Sequence, residues 1–445
     1  MIVGRTDSTY AGTVTPRTSA RTASGAPACT AADLFCGAGG LSQGLRQAGF
    51  AVIAAADHDP DGCATYRLNH PDTLVVEGDL TAAENHEAVV GSIDQGRLDL
   101  LVGGPPCQAF SQIHNHDRLL ADPRNRLYRE FVRLLDELRP RALLLENVPG
   151  MSQLAQGEVR RRIEEELSLG GHYDVVSGVL DPGDFGAPQT RPRLVFLGTA
   201  RGLPQPALPA GSGITQLIRE AQGAQLSQLQ SPEAQRLARA LADAEDATAV
   251  TAGQAISDLL VPGPAYAGPP ESAFQAAARR GSDGPQDHEP SRIREDTVKR
   301  LEAIPPGGNV HDLPERLLRR YLGDQKWGPA GDGKRLARRH FYAYRRLHPD
   351  RLAWTVNTKA DFAYHYGPPR GLSVREAARL QGFPDAYHFA TAPPGTPGQY
   401  KNGARHSRYR QVGNAVPPPL GRAVGEAVLA LIEQRPAQQP IAAAA

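Results

Sequence analysis

The chain of 445 residues predicts an α/β fold: a doubly wound, mostly parallel sheet joined to a smaller, irregular second domain. Two observations lead to this fold class. Short apolar runs alternate with helical patterns between residues 29 and 200. The alternation then gives way to segments rich in Pro, Gly, Gln, Ala and Ser, and regular patterns return from residue 371 onward. Residues 1–28 and 434–445 are predicted to be disordered tails.

Each element is predicted from its own pattern. Seven apolar runs predict strands, at residues 32–35, 52–56, 74–76, 98–102, 142–145, 175–179 and 194–197. Helical periodicity falls at residues 127–138, 158–167, 374–381 and 420–433. A helix between strands returns the chain to the same edge of the sheet, so most strands should be parallel. In such a sheet, ligands bind beyond the carboxyl ends of the strands.

The composition excludes several classes of protein. The net charge is +1, and no apolar run approaches the ~20 residues that span a bilayer, so no membrane association is expected. The four cysteines, at positions 29, 36, 63 and 107, lack metal-ligand spacing, and no metal site is predicted. Without an export signal, we expect reduced thiols and a cytoplasmic location.

Cys107 stands at the most informative place in the chain. It follows the strand predicted at residues 98–102 and the Gly-Gly-Pro-Pro turn at 103–106. A thiol on a stiff turn at the carboxyl end of a strand lies where α/β enzymes place their chemistry. The alternative is a small cysteine packed in the core. Two successive prolines restrict the backbone and remove two donors, which core packing rarely requires, so the pattern favours a reactive thiol.

A glycine-rich turn and two acids predict a bound nucleotide. Residues 33–41 leave the first strand and open a helix, and their glycines permit close approach of the backbone to a ligand. Asp57 ends the second strand, where an acid can hold ribose hydroxyls. Asp79 follows the third strand, where a carboxylate can accept from an adenine amine. Either acid alone could be a helix cap or a turn residue; their combination favours the ligand.

Three charged side chains accompany the thiol. Glu146 ends the fifth strand, on the same sheet edge as Cys107. Arg191 and Arg193 precede the last strand, and alternate residues of a strand share a face. A strand-end acid is often a cap and an Arg-x-Arg pair is often exposed, but the whole set in this order favours a site.

In this order the motifs resemble the DNA (cytosine-5) methyltransferase family. The resemblance is carried by residues 33–40, 103–111, 146–148, 189–193, 375–384 and 411–418, and it covers residues 30–433. It implies a Rossmann-like, S-adenosylmethionine-dependent enzyme of the restriction-modification type. Such an enzyme methylates C5 of a specific cytosine in double-stranded DNA, through base flipping and a covalent Cys107–C6 adduct. It also implies a catalytic and cofactor-binding domain at 29–200, a target-recognition domain at 201–370 and a return to the catalytic domain at 371–433.

The resemblance assigns a role to each site residue. Cys107 is the nucleophile, and Glu146 contacts the cytosine N3 and amino group. Arg191 and Arg193 hold the cytosine carbonyl, the adjacent backbone and the carboxylate, and Asn147 orients the loop that carries Cys107. The contacts to S-adenosyl-L-methionine fall on Phe35, Gly37, Gly39, Gly40, Asp57, His58, Asp79, Leu80, Pro106, Leu127, Asn414 and Val416. His58 is a departure, because the family often has an aromatic residue there.

A basic stretch interleaved with aromatic residues predicts DNA contacts. Its members are Lys334, Arg335, Arg338, Arg339, Arg345 and Arg346, and Gln108 and Ser111 are expected to contact DNA beside the nucleophile. Basic residues with aromatic neighbours suit a phosphate track, although a solvated helix face gives the same pattern.

Two other functions stay open. A tRNA cytosine-5 methyltransferase shares the fold, but that branch usually has Thr where this chain has Ser111, and a shorter variable region. A non-catalytic DNA-binding relative is disfavoured by the intact set of site residues. The family further implies a monomer, associated with the nucleoid through DNA. Its members usually protect host DNA beside a cognate restriction endonuclease encoded nearby, although solitary members occur.

Overall fold

A seven-stranded mixed sheet forms the centre of the molecule. The computed structural model describes residues 29–93, 98–106, 125–153, 157–217, 249–324, 343–400 and 403–434. The strands are β1 (Thr30–Leu34), β2 (Ala51–Asp57), β3 (Leu74–Glu77), β4 (Leu100–Gly103), β5 (Ala142–Asn147), β6 (Tyr173–Leu180) and β7 (Arg193–Ala200). All seven predicted strands and the α/β fold class are thereby confirmed. The predicted tail at 1–28 and residues 435–445 of the other tail lie outside the described residues.

The strand order β3-β2-β1-β4-β5-β7-β6 creates a crevice in the sheet. Strands β1 to β5 are parallel, whereas β7 runs antiparallel to both of its neighbours, β5 and β6. From β1 the next strands along the chain, β2 and β3, are added towards one side of the sheet, and from β4 the later strands are added towards the other side. The boundary between β1 and β4 is therefore a topological switch point. Leu34 pairs with Gly103 there, so the turns that follow β1 and β4 lie side by side.

Helices connect and cover the strands. Within the described ranges they are α1 (Gly40–Ala48), α2 (Pro60–Asn69), α3 (Ala83–Gly91), α4 (Arg126–Leu138), α5 (Gly150–Gln153), α6 (Glu158–Leu167), α7 (Ala252–Ile256), α8 (Ala273–Ala278), α9 (Glu295–Ala303), α10 (Glu315–Asp324), α11 (Val374–Gln381), α12 (Ala404–Asn414) and α13 (Pro418–Glu433). Helices α4, α6, α11 and α13 match the predicted patterns. The chain from Ala404 to Glu433 is long and apolar enough to span a membrane by composition, but half of its most apolar window is buried inside the protein.

Two apolar cores cover the two faces of the sheet. One contains Phe131 and Leu135 of α4 together with Ile163 of α6. The other contains Leu41 and Leu45 of α1 and the inward residues of α13, the last helix of the described residues. Residues that are distant in the sequence therefore complete the same layer.

Glycines let α1 and α13 approach closely. A Cβ atom on Gly44 would lie 2.3 Å from the carbonyl oxygen of Pro418, and one on Gly421 would lie 2.9 Å from that of Leu41. A Cβ on Gly425 would come within 2.8 Å of Ala48. These distances leave no room for a side chain, so the helix pair requires glycine at its contact line.

A third core joins the irregular region to the returning segment. It combines Ile256 and Leu259 with Val356, and these pack with Leu380 and Val412. The predicted boundary at residue 370 therefore has members of one apolar cluster on both sides; as a domain boundary it stays a prediction.

Buried charges reinforce that third core. Arg379 donates to Asp385 Oδ1 at 2.7 Å and to Asp258 Oδ1 at 2.8 Å, and all three side chains are almost fully buried. Arg279 adds a second ion pair to Asp258. Because removing one partner would leave a buried charge without compensation, this network fixes the segment that follows α7 against α11.

Candidate active site

The carboxyl ends of β4 and β5 and the amino end of the antiparallel β7 bring a carboxylate and a guanidinium together. Glu146 Oε1 accepts from Arg193 Nε at 2.8 Å, and each side chain is 13% exposed. A Cβ atom on Gly104 would lie 3.0 Å from Glu146 Oε2, so the glycine turn after β4 runs directly beside this carboxylate. The structure thus places Glu146, Arg193 and the turn before position 107 at one site. Cys107, Gln108 and Ser111 lie outside the described residues.

Burial dominates the electrostatics of Glu146. It raises the pKa of the carboxyl above its ordinary value, and the charges of Arg193 and Arg191 only partly oppose that effect. A carboxyl in this state holds its proton to higher pH and can donate a hydrogen bond as well as accept one.

Asn147 fixes the turn that leads to position 107. Its side chain is buried, and Nδ2 donates to the carbonyl of Pro105 at 3.1 Å. Its Oδ1 accepts from the Val148 amide at 2.8 Å. Asn147 therefore ties the end of β5 to the Gly-Gly-Pro-Pro turn of β4.

Arg191 is held by backbone carbonyls and does not belong to strand β7. Strand β7 begins at Arg193, so the expectation of a shared strand face does not extend to Arg191. Its Nη1 donates to the carbonyl of Val356 and its Nη2 to that of Gly413, both at 2.6 Å. Burial lowers the pKa of this guanidinium to about 9. Since both Nη groups bind backbone oxygens, Arg191 joins chain segments here, and Arg193 is the arginine that pairs with Glu146.

The neighbours of Arg191 strengthen the same junction, and the sequence patterns did not assign them. Gln189 Oε1 accepts from the Val356 amide at 2.9 Å, and Thr355 Oγ1 donates to the carbonyl of Thr190 at 2.8 Å. A Cβ atom on Gly413 would lie 2.3 Å from the backbone of Asn357. Gln189 and Thr190 belong to the Gln-Thr-Arg-Pro-Arg motif, and Gly413 belongs to the motif at 411–418, but no local pattern predicts that these motifs meet residues 355–357.

The turn after β1 forms an open cradle. Phe35, Gly37 and Gly39 have φ values of 61°, 52° and 85°, in the left-handed region that only glycine adopts easily. A Cβ atom on Gly37 would meet nothing within 4 Å, so there is free space beside this residue. Asp57 Oδ2 accepts from the Gly37 amide at 2.8 Å and fixes the turn against β2. Free space ringed by a strained backbone turn and a carboxylate fits a nucleoside-containing ligand.

Glycine is required at positions 39 and 40 for a different reason. A Cβ atom on Gly39 would lie 2.6 Å from Tyr387 Oη, and one on Gly40 would lie 2.3 Å from the carbonyl of Val416. Protein packing, and not an adjacent ligand space, therefore requires glycine at both positions.

The two predicted acids carry local hydrogen bonds. Asp57 Oδ1 accepts from the Asp59 amide at 2.8 Å. Asp79 Oδ1 accepts from both the amide and the hydroxyl of Thr81, which together with Arg126 hold its pKa below the usual range. Asp79 is therefore a turn residue, which is one of the two roles that its sequence position allows. Its side chain is 42% exposed, so a ligand can still reach it.

The other predicted cofactor residues differ in exposure. His58 is 74% exposed, and its hydrogen bond with Asp57 raises the pKa of the imidazole. Pro106 and Asn414 are exposed, and Leu127 and Val416 are partly buried. Leu80 is 3% exposed and packs in the sheet core, so its side chain is not available to a ligand.

The predicted DNA-binding residues separate into three groups. Lys334, Arg335, Arg338 and Arg339 lie outside the described residues. The Arg345 guanidinium stacks 4.9 Å from the centre of the Trp354 ring and is partly buried. The prediction for Arg346 is wrong. Its guanidinium is buried and donates to five backbone carbonyls, those of Leu301, Ile304, His365, Tyr366 and Gly367. It stabilises the irregular region from within.

Two further thiols in the described part of the chain lie in the core. Cys36 and Cys63 are buried thiols, and burial raises the pKa of each well above its ordinary range. The described residues hold no cluster of three or more His, Cys, Asp or Glu side chains that would bind a metal ion.

Comparison with known proteins adds independent findings. A family model described as C-5 cytosine-specific DNA methylase matches residues 29–430. The type II methyltransferase M.AgeI of Thalassovita gelatinovora is 32% identical, over 89% of this chain and 98% of that protein. The DNA (cytosine-5)-methyltransferase 1B of Oryza sativa subsp. japonica is 30% identical over 88% of this chain, but only 28% of that longer protein is covered. The crystal structure of a prophage-encoded DNA modification methyltransferase from E. coli aligns with a TM-score of 0.54 and 24% identity, over 91% of this chain and 99% of that one, and supports the fold.

Proposed function

This chain belongs to the C-5 cytosine-specific DNA methylase family and is a DNA (cytosine-5) methyltransferase similar to restriction-modification enzymes, and from this premise we propose how it acts. It transfers a methyl group from S-adenosyl-L-methionine to C5 of one cytosine within a specific double-stranded sequence. It does so on a flipped-out base, through a covalent bond between Cys107 and C6. The observation that carries the proposal is the Glu146–Arg193 pair beside the turn that Asn147 holds in front of Cys107.

The chemistry explains why these groups belong together. Cytosine C5 is a weak nucleophile, and addition of the Cys107 thiolate to C6 converts the ring into an enamine that is nucleophilic at C5. Negative charge then builds on N3 and the carbonyl. Glu146, with its raised pKa, can hold a proton towards N3, while Arg193 is a donor for the carbonyl oxygen. Loss of the C5 proton after methylation returns the electron pair, and Cys107 leaves as thiolate.

The burial of these groups supports the proposal of base flipping. Glu146 and Arg193 are largely buried at a sheet edge, where a base stacked inside a duplex cannot reach them. Taking a base out of the stack costs a few kcal/mol, which contacts at the site must offset.

The cradle after β1 fits the methyl donor. S-adenosyl-L-methionine supplies an electrophilic methyl group on a sulfonium. The open space at Gly37, the remaining acceptor capacity of Asp57 and the exposed part of Asp79 would hold its nucleoside. Exposed Pro106 and Asn414 would border it, and His58 would lie at the adenine.

The type II methyltransferases among the relatives support a restriction-modification setting. We expect a cytoplasmic enzyme that acts on nucleoid DNA as a monomer, with a restriction endonuclease encoded nearby as its functional partner.

One experiment tests both the reaction and the base. Purified full-length protein, S-adenosyl-L-methionine and duplex DNA of mixed sequence should give 5-methylcytosine at one sequence context, measured by bisulfite sequencing and by mass spectrometry of nucleosides. N4-methylcytosine, or faster methylation of tRNA than of DNA, would contradict the proposal.

The covalent step has its own test. When the target is 5-fluorocytosine, C5 carries fluorine in place of the proton that is normally lost after methylation. The bond between Cys107 and C6 then cannot break, so the enzyme should remain bound to this DNA through denaturing electrophoresis. Cys107→Ala should abolish both the adduct and turnover, whereas Cys29→Ala should leave both unchanged. Turnover in the Cys107→Ala protein would exclude the assigned nucleophile.

A further inference from the structure

We propose that Arg410 is a positioning residue that sets the affinity for the methyl donor, acting through an ion pair with Asp59. Its Nη2 lies 2.7 Å from Asp59 Oδ2, and the two side chains are 25% and 14% exposed. The pair joins α12, near the end of the chain, to the start of α2, which follows the Asp57 turn. The inference rests on the proposed use of S-adenosyl-L-methionine.

The carboxylate of Asp59 is committed to this pair. Asp59 occupies the N-cap position of α2, where an aspartate normally accepts from the first turn of its own helix. It makes no such capping bond. Its carboxylate instead accepts from Arg410 of α12, in place of the stabilising capping bond.

The backbone of Asp59 belongs to the cradle. Its amide donates to Asp57 Oδ1, while Asp57 Oδ2 accepts from Gly37. A shift of Asp59 would therefore move the carboxylate that holds the glycine turn open. Through these two bonds the ion pair acts on the nucleoside side of the cradle.

Arg410 also lies on the helix that carries Asn414, a predicted cofactor contact on the other side of the cradle. Arg410 and Asn414 are four residues apart on α12 and so lie on the same helix face. The Arg410 guanidinium lies 4.7 Å from the centre of the Tyr400 ring, which adds a second contact that restricts it. A continuous series of contacts thus runs from Gly37 through Asp57 and Asp59 to Arg410, whose helix ends at the exposed Asn414.

The position of the Arg410–Asp59 pair predicts an effect on the binding of the methyl donor and not on the methyl-transfer step. Within the described residues Arg410 has no hydrogen bond or ion pair with Glu146 or Arg193, and its partners are Asp59 and Tyr400. Loosening the pair should widen the cradle while leaving the reacting groups in place, so cofactor affinity should fall and kcat at saturating cofactor should be preserved.

The test measures cofactor affinity directly. S-adenosylhomocysteine binding to full-length protein is titrated by calorimetry, and KM and kcat are measured with S-adenosyl-L-methionine. Arg410→Gln and Asp59→Asn should each raise Kd and KM roughly tenfold, with kcat within twofold of the wild type. The double variant should be little worse than either single variant, because both remove the same pair. Arg410→Lys keeps the charge and should recover part of the affinity.

Arg405→Gln is the matched control. Arg405 lies on the same helix and also has an acidic partner, Glu289, at 3.3 Å, but that pair is exposed and does not contact the cradle. Its removal should leave Kd and KM unchanged.

The outcomes separate this inference from the proposed function. Wild-type protein that binds no S-adenosylhomocysteine would refute the proposed cofactor. Wild-type protein that binds it, together with unchanged Kd in Arg410→Gln or Asp59→Asn, would refute the role of Arg410. Additive losses in the double variant, or a fall in kcat with unchanged KM, would do the same. If Arg410→Gln does not fold, Asp59→Asn decides the question alone.

Discussion

Glu146 is placed where its charge is disfavoured. Its carboxyl is largely buried, and the pKa is raised although Arg193 lies 2.8 Å away. A folded-state pKa above the ordinary value means that the folded protein holds a proton that the unfolded chain has already released. Stability is therefore lost as the pH rises from the ordinary carboxyl pKa through the raised one. The same proton is useful to a group that must neutralise charge on a base.

We predict that Glu146→Gln separates stability from activity. The amide keeps the shape but cannot ionise, so turnover should fall by about 10²–10⁴-fold. The free energy of unfolding at pH 8 should be equal to or higher than that of the wild type, and any gain should vanish towards pH 4 because both forms are then uncharged. Methylation assays and urea unfolding at the two pH values measure this.

Glu426→Gln provides the comparison for that experiment. Glu426 is 60% exposed on α13, and its replacement should affect neither quantity. A Glu146→Gln protein with wild-type turnover would remove Glu146 from the reaction.

At the scale of elements, the pairing of α1 with α13 depends on backbone contact. Gly44 faces the Pro418 carbonyl at a distance that admits no side chain, and Gly421 faces Leu41 in the same way. Backbone atoms cannot turn aside as a flexible side chain can. The two helices must therefore separate if either position carries a Cβ atom.

We predict that Gly44→Ala destabilises the protein by about 1–3 kcal/mol, although alanine is the better helix former. Gly91→Ala is the matched control, because Gly91 also lies in a helix but a Cβ atom there would meet nothing within 4 Å. That change should be neutral or slightly stabilising. Unfolding in urea compares the two, and equal stability of both variants would show that α1 and α13 can separate without cost.

At the scale of the whole molecule, Arg191 joins the three parts of the chain. It projects from the approach to β7 and holds Val356 of the irregular region and Gly413 at the end of α12. The junction thus depends on one guanidinium, whose two Nη groups bind backbone carbonyls. Its two acceptors are buried carbonyls, and each would lose its partner if the guanidinium were removed.

We predict that Arg191→Met lowers the stability of the protein and weakens the binding of both substrates. Two unpaired carbonyls should cost about 2–6 kcal/mol in the free energy of unfolding. The KM values for both DNA and S-adenosyl-L-methionine should rise together, since the junction serves both sides. Arg191→Lys, with a single donor group, should be intermediate. A rise in only one of the two KM values would contradict the coupling.

The sequence predicted what depends on local pattern. Strands β1 to β5 and the Glu146 position follow from apolar runs and from the acid that ends one of them. The antiparallel direction of β7 depends on how the chain returns from the sheet edge at β6, which no local pattern encodes. Arg346 was assigned to DNA because it stands in a basic run. Its burial depends on carbonyls from residues 301–304 and 365–367, which converge only in the folded protein.

The closure of α1 by α13 also orders events during translation. The helix that opens the cofactor cradle emerges from the ribosome early, with Leu41 and Leu45 uncovered. The segment that covers them, and the Asn414 end of α12, emerge much later in synthesis. Contacts between such distant segments form late. A nascent chain that has not yet made α13 therefore leaves α1 uncovered and the cradle without its Asn414 border, so we expect it to modify DNA only once α13 has docked.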